Sequence, residues 1–309
     1  MADYEWLASE SAPAGFPMKV LSGGFTDPAG GFKYVPPNKV IHHGWGTPVS
    51  THLVGEDMAP LPNRLEIEFF SYAEDASYAG SFELPVEAIE ALFEAGYHSR
   101  RLGEHTTYER LTVGIAPGGH VTVWAVGVDR TAEVWSGCAP EVEVDFERVA
   151  GKMLTPREEY VRGQLQRRLS ESQRSTLDHD GVPIGRWEQF RLRYPWSLAF
   201  DGFRPGVVGP LELFNGEQEI VEWRSEGGVW FRPVPRALEL RVELGGRRSL
   251  RYLLRFDRAE IFSAFTQLAV ADKPMELSIG IAGALSVCLR NPDERLALDH
   301  TQLQRFLGR

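Results

Sequence analysis

The amino-acid sequence predicts an α+β protein of two tandem related units, each a mainly antiparallel β-sheet with a packed helix, joined by a helical linker. Three observations carry that expectation. Apolar and polar residues alternate with the two-residue period of half-buried strands. Short segments of the first half recur, in the same order, in the second. Between the copies lies an arginine-rich helical pattern that belongs to neither. The units are expected at residues 1–150 and 191–309, the second shortened in its early loops, with the linker at 151–190.

The recurrences justify the elements one by one. Tyr4-Glu5-Trp6 opens the first copy and Tyr194-Pro195-Trp196 the second. Leu61-Pro62-Asn63-Arg64-Leu65-Glu66-Ile67 is echoed by Val234-Pro235-Arg236-Ala237-Leu238-Glu239-Leu240. In each, the proline precedes an alternating strand: Leu65, Ile67 and Phe69 in one, Leu238, Leu240 and Val242 in the other. A helix follows in both. In the first, Pro85 suits a first turn, Ile89, Leu92 and Phe93 form an apolar stripe, and Gly96 stops it. In the second, Asp257 and Glu260 make a capping pattern, and Ile261, Phe265 and Leu268 form the stripe. A hairpin comes next. Val113-Gly114-Ile115-Ala116 and Val121-Thr122-Val123-Trp124 flank a turn at Pro117-Gly118-Gly119, while Ile279-Gly280-Ile281-Ala282 and Leu285-Ser286-Val287-Cys288 flank one at Gly283-Ala284. Last, Val142-Glu143-Val144-Asp145 matches Leu296-Ala297-Leu298-Asp299, a strand whose final Asp is expected to cap a short helix. In the linker, Thr155, Pro156 and Glu158 give a helix start, and Val161, Leu165 and Leu169 recur at i+4, which places a helix at about 156–172.

Composition bounds what such a protein does. Its 309 residues suit two domains, and 43% hydrophobic with 25% charged residues is the balance of a folded globular chain. The 8 Trp, 9 Tyr and 17 Phe supply apolar surface for two cores. A net charge of −10 argues against a dedicated nucleic-acid binder and steers the chain toward a basic partner. No run of about 18 apolar residues spans a membrane. Met1 to Trp6 offers neither a basic nor an apolar leader region, so the chain is expected to be cytoplasmic if that N-terminus is native and periplasmic if the chain is a mature or trimmed form. Cys138 and Cys288 lack CxxC spacing, which leaves two buried thiols or a single bridge.

No common catalytic motif is present: no GxSxG, no phosphate loop, no HExxH, no GxGxxG after a strand. His42-His43 before Gly44-Trp45-Gly46 makes a poor chelating pair on a strand, whose neighbours point to opposite faces, so turn packing around Trp45 is the better reading. Asp178-His179-Asp180-Gly181 lacks the later ligands of a calcium loop and reads as a turn. Glu66/Glu68 and Glu141/Glu143 alternate with apolar residues, as solvated strand faces do. No metal and no cofactor is expected, and the chain is expected not to be an enzyme. The candidates for partner binding are Trp45, Trp124, Arg167 and Arg168. Val121 and Val123 should face the core and Trp124 the opposite side, where tryptophans serve as interface anchors or pack under a loop. The linker stripe Arg157, Arg162, Arg167, Arg168 and Arg174 is either a solvated face paired with carboxylates or a contact for an acidic partner.

The first copy resembles a bacterial family known as domain of unknown function 2931, common among proteobacterial lipoproteins. The resemblance is carried by Tyr4-Glu5-Trp6, Gly44-Trp45-Gly46, Leu61 to Ile67, Phe82-Glu83-Leu84-Pro85 and Val113 to Gly119, and by Trp187-Glu188-Gln189-Phe190-Arg191 to Tyr194-Pro195-Trp196. It implies a lipid-anchored precursor and a gene neighbourhood shared with type VI secretion effectors, including lipase-type toxins. The function expected from it is an immunity protein that binds and neutralises a cognate effector. An envelope module that binds a glycan or a non-toxin protein is the alternative, and a hydrolase with a dispersed site is the third reading.

Overall fold

Prolines and buried tryptophans locate the main strands in the computed structural model, which describes residues 2–50, 58–152, 154–205, 207–221, 228–245, 248–269, 273–281 and 285–308. The chain is α+β and divides into two compact units, residues 1–188 and 189–309. The helical segment after residue 150 is part of the first unit: Val161 is buried with Leu21, Phe70, Tyr72 and Val149.

In the first unit, Leu7–Ser11 runs parallel to Arg110–Ala116, which pairs in antiparallel fashion with His120–Val126 and that in turn with Thr131–Cys138. A second sheet is built from Met18–Thr26, Arg64–Ser71 and Ala76–Glu83, with the short strands Phe32–Tyr34 and Glu141–Val142 at its two ends. Alternation decides which side chains meet. Phe25, Leu65, Ile67 and Phe69 from one sheet share a core with Val113, Ile115, Val121 and Val123 from the other. Helix Val86–Ala95 closes that core with Ile89 and Phe93, and Gly96 ends it at a positive φ of 54°.

In the second unit, Arg193–Asp201 runs parallel to Met275–Gly280, which pairs with Ser286–Arg290 and that with Arg295–Ala297, all antiparallel; Trp230–Pro233 lies along the other edge of Arg193–Asp201. Val207–Leu213, Pro235–Gly245 and Arg248–Arg255 follow one another antiparallel, flanked by Gln218–Val221 and Gln302–Gly308. Helix Arg258–Leu268 buries Ile261, Phe265 and Leu268. Asp257 caps it by accepting from the Glu260 N–H at 3.0 Å. The Glu260 carboxylate does not turn back onto the cap; it accepts from the N–H groups of Asp299 and His300.

The structure departs from the sequence reading in several places. The linker helix spans Arg157–Arg168 and breaks at Leu169, because Ser170 and Gln173 form a capping box that starts a new helix, Glu171–Asp180. The last echo does not pair alike: Glu141–Val142 joins Ala76–Glu83, whereas Arg295–Ala297 joins Ser286–Arg290. Asp145 does cap a helix, Phe146–Ala150, but Asp299 leads into the strand Gln302–Gly308. The cysteines are both free, Cys138 exposed and Cys288 buried. The turn placed at Gly283-Ala284 lies outside the described residues.

Each unit hangs on one indole. Trp6 donates from Nε1 to the Pro60 carbonyl at 3.2 Å, and Trp196 shares its N–H between the Arg232 and Pro233 carbonyls, both at 3.2 Å; their exposures are 2% and 0%. Trp6→Ala and Trp196→Ala should each cost about 3–5 kcal/mol in chemical denaturation, since both a large buried volume and a buried hydrogen bond are lost. A change within error for both would remove these residues as anchors.

Candidate binding site

The residues that the sequence marks for contact do not converge. Trp124 does point away from Val121 and Val123, but that face is roofed. The loop Gly44 to Ser50 is stitched onto strand Leu7–Ser11: Gly44 N–H donates to the Ala12 carbonyl at 3.0 Å, Ser11 Oγ to the Gly44 carbonyl at 2.9 Å, and Val49 N–H to the Glu10 carbonyl at 3.0 Å. Ser50 Oγ adds a buried clasp, donating to Glu10 Oε1 at 2.5 Å while accepting from Lys39 Nζ at 3.1 Å. So fixed, the loop sets Trp45 edge-on against Trp124 at 4.8 Å, with Trp187 and Phe16 behind it. Trp124 and Trp45 are buried, so neither is the surface anchor the sequence suggested; they form a second apolar layer. Gly114 makes room for it. A Cβ there would stand 2.3 Å from the Trp124 ring and 2.9 Å from that of Trp45.

The arginine stripe separates into two kinds. Arg157 donates to Asp75 at 2.8 Å and lies 5.0 Å from the Phe146 ring. Arg162 pairs with Glu158 one turn earlier, and Arg174 closes the helix end by donating to the Leu169 carbonyl at 2.7 Å. Arg167 and Arg168 differ: both are exposed, and no hydrogen bond or ion pair engages them among the described residues. The charge of Arg168 still reaches back to His42, whose pKa is lowered first by burial and then by the charges of His43 and Arg168. The two histidine rings lie 5.4 Å apart. Among the described residues no group of three His, Cys, Asp or Glu side chains is placed to hold a metal.

Each unit also carries a cleft that the sequence did not single out. In the first it encloses about 340 Å³, floored by Trp6 and Phe25 and rimmed by Phe32 and Met58, with Asp3 and Asp27 in its wall. Lys33 also lines it, its ammonium donating to the Trp6 carbonyl at 2.8 Å and lying 4.6 Å from the indole centroid. In the second unit a more open cleft of about 470 Å³ is lined by Ser197, Val229, Met275 and the Glu276–Arg290 ion pair. The neighbouring Arg232, 5% exposed, is sandwiched between Trp196 at 4.3 Å and Trp230 at 4.4 Å and paired with Glu219. Burial pulls its pKa down and Glu219 opposes that shift. The readable trace of the first cleft is Phe32-Lys33-Tyr34, where i and i+2 place two aromatics on one face of a short strand.

A family model described as Protein of unknown function (DUF2931) matches residues 1–185. The chain belongs to the DUF2931 family. No curated protein and no solved structure matches it. The DUF2931 match ends beside the boundary of the first unit and therefore takes in the Trp45 loop, the acidic cleft, Arg167 and Arg168.

Two outcomes are expected of this DUF2931 unit. Gly114→Ala should destabilise by about 1–3 kcal/mol in thermal or urea unfolding, because two buried indoles must yield to one methyl group. The second outcome is pH-dependent. Burial acts to raise the pKa of Glu68, but hydrogen bonds from Arg148 and Ser22 and the Arg148 charge outweigh it, so the folded value lies below 4.5. A depressed folded pKa means that the stabilisation is present in full above the unfolded value and fades as pH falls through the folded one. The stability difference between wild type and Glu68→Gln should therefore shrink on acidification; a difference that grows would contradict it.

Proposed function

We propose that this DUF2931 chain is a non-catalytic protein-binding module, and that its partner is a type VI secretion effector which it neutralises as an immunity protein. The observation that carries the binding role is the grouping of exposed large apolar side chains beside the two clefts. Phe32 and Met58 are 59% and 50% exposed in the first unit, and Phe231 and Val229 are 67% and 51% exposed in the second. Isolated exposed apolar residues are ordinary on a soluble surface, whereas grouped ones rimmed by charge mark contact sites. Arg167 and Arg168 add a basic contact at the end of the helix Arg157–Arg168. The family resemblance is the support for that class of partner, with lipase-type toxins the leading kind, and the encounter is periplasmic if the chain is a mature or trimmed form.

The same proposal treats the two units as copies of one ancestral unit. Pairing registers support it. Tyr4 stands opposite Ala59 and Tyr194 opposite Arg232, each one residue before a proline carbonyl that accepts from the anchor indole, which in the second unit also reaches the Arg232 carbonyl. Leu65 pairs with Phe25 and Phe82, and Leu238 with Leu211 and Leu254. Tyr4 meets Phe93 of its helix at 5.5 Å, and Tyr194 meets Phe265 of its own at 5.4 Å.

The test is co-purification with the product of the adjacent effector gene, followed by rescue of cells expressing that effector. A stoichiometric complex and rescue are expected, with association slowing as salt rises and weakening when Arg167 and Arg168 are both reversed to Glu. A correctly folded effector that neither binds nor is neutralised would shift the assignment to the envelope module.

A further inference from the structure

We propose that the cleft of the first unit is a receptor for one basic side chain, an arginine or lysine that a protein partner presents next to an apolar residue. The inference rests on the protein-binding reading above and specifies what the partner must offer.

The carboxylates are set for it. Asp27 Oδ1 accepts from the Ala29 N–H at 2.7 Å and the Gly31 N–H at 3.0 Å, a turn that fixes the group in the cleft wall and leaves Oδ2 uncommitted among the described residues. Asp3, exposed on the same wall, takes part in no hydrogen bond or ion pair there. The ammonium already present, that of Lys33, is committed to the Trp6 carbonyl and ring. Phe32 and Met58 on the rim suit the aliphatic stem of a long cationic side chain, or the apolar residue beside it.

The second unit shows how this scaffold holds a cation. Arg232 occupies the position opposite Tyr194 that Ala59 occupies opposite Tyr4. Its carboxylate, Glu219, stands opposite Leu211 as Lys33 stands opposite Phe25. Where the second unit inserts a guanidinium against its anchor indole, the first has a methyl group, and a cleft of about 340 Å³ lies beside that methyl. A buried guanidinium is tolerated when an aromatic face and a carboxylate replace its water. The first unit has both, the carboxylates coming from Asp3 and Asp27, but no guanidinium on the Ala59 side: the cation at its indole, Lys33, comes from the strand position that Glu219 fills in the second unit and is held by the Trp6 carbonyl. The partner provides in trans what Arg232 provides in cis.

The experiment titrates the isotope-labelled full chain with acetyl-leucyl-arginine amide and follows the Trp6 indole N–H by NMR, with the neutral citrulline peptide as comparison. The Trp6 signal should move saturably with the arginine peptide alone. Asp3→Asn together with Asp27→Asn, which keeps the turn acceptor, should weaken binding about tenfold. Ala59→Arg, which supplies the missing side chain from within, should abolish it; thermal melts establish that both variants are folded, and Asp3→Asn alone, at an exposed position, should still give a measurable loss. Equal binding of the citrulline peptide, no movement of Trp6, or full binding to Ala59→Arg would each overturn the proposal. The effector complex separates this result from the broader one. An effector that binds wild type and Ala59→Arg equally sinks the cleft and leaves the protein-binding reading standing. Arginine-peptide binding without any effector complex does the reverse.

Discussion

A buried indole N–H that found no acceptor would cost more than the ring gains by packing, and both units meet that constraint with the same device. In the first, the Trp6 indole donates to the Pro60 carbonyl within Pro60-Leu61-Pro62; in the second, Trp196 donates to Pro233 within Pro233-Val234-Pro235. Proline has no N–H to contribute to a ladder, so a segment flanked by prolines can leave a carbonyl for a side chain at the point where a central strand begins. Leu61 and Val234, between those prolines, are fully buried and fix the segment in place. The indole thus ties the first strand of one sheet to the start of the middle strand of the other. Helix packing follows from the same joint, because Tyr4 and Tyr194, two residues before the indoles, meet Phe93 and Phe265.

That constraint also explains why the clefts lie where they do. An indole held by its N–H edge leaves a face to be covered, and in both units a cation covers it: Lys33 over Trp6, Arg232 over Trp196. The two solutions differ in completeness. Arg232 is enclosed on both faces and paired with Glu219, while Lys33 leaves a cavity whose wall carries Asp3 and Asp27. In a chain of net charge −10, carboxylates that no cation neutralises are common; two of them beside an aromatic floor are a more specific feature.

What the sequence made legible was whatever local rules govern. Pro85, Ile89, Phe93 and Gly96 bound a helix because capping and the 3.6-residue period act over a turn or two. The capping box of Ser170 and Gln173 is equally local, and it divides the linker helix against the i+4 spacing of Val161, Leu165 and Leu169. Trp124 stayed open between an interface anchor and a residue packed under a loop for the opposite reason. Alternation correctly gave its face, but what covers that face is a loop and Trp187 from distant parts of the chain, and strand periodicity says nothing about a roof. The Asp145 and Asp299 echo failed likewise: similar residues precede different strand partners, and partner choice is non-local. The acidic cleft was the least visible of all, because the key position, Ala59, is distinguished by the side chain it lacks.

The difference between the units at the indole has a physical logic. Ala59 and Arg232 lie on short strands, each followed by a proline carbonyl that accepts from the anchor indole; in the second unit the Arg232 carbonyl accepts from it as well. One unit has a methyl group at that place and the other a guanidinium, while Leu65 and Leu238 in the strands that follow are buried in both. In the second unit the chain's own guanidinium fills the space beside the indole, and in the first, which carries the family match, a cleft remains. An open aromatic cleft with uncommitted carboxylates exposes apolar surface that solubility alone would disfavour. On the function proposed above, a partner would cover that surface.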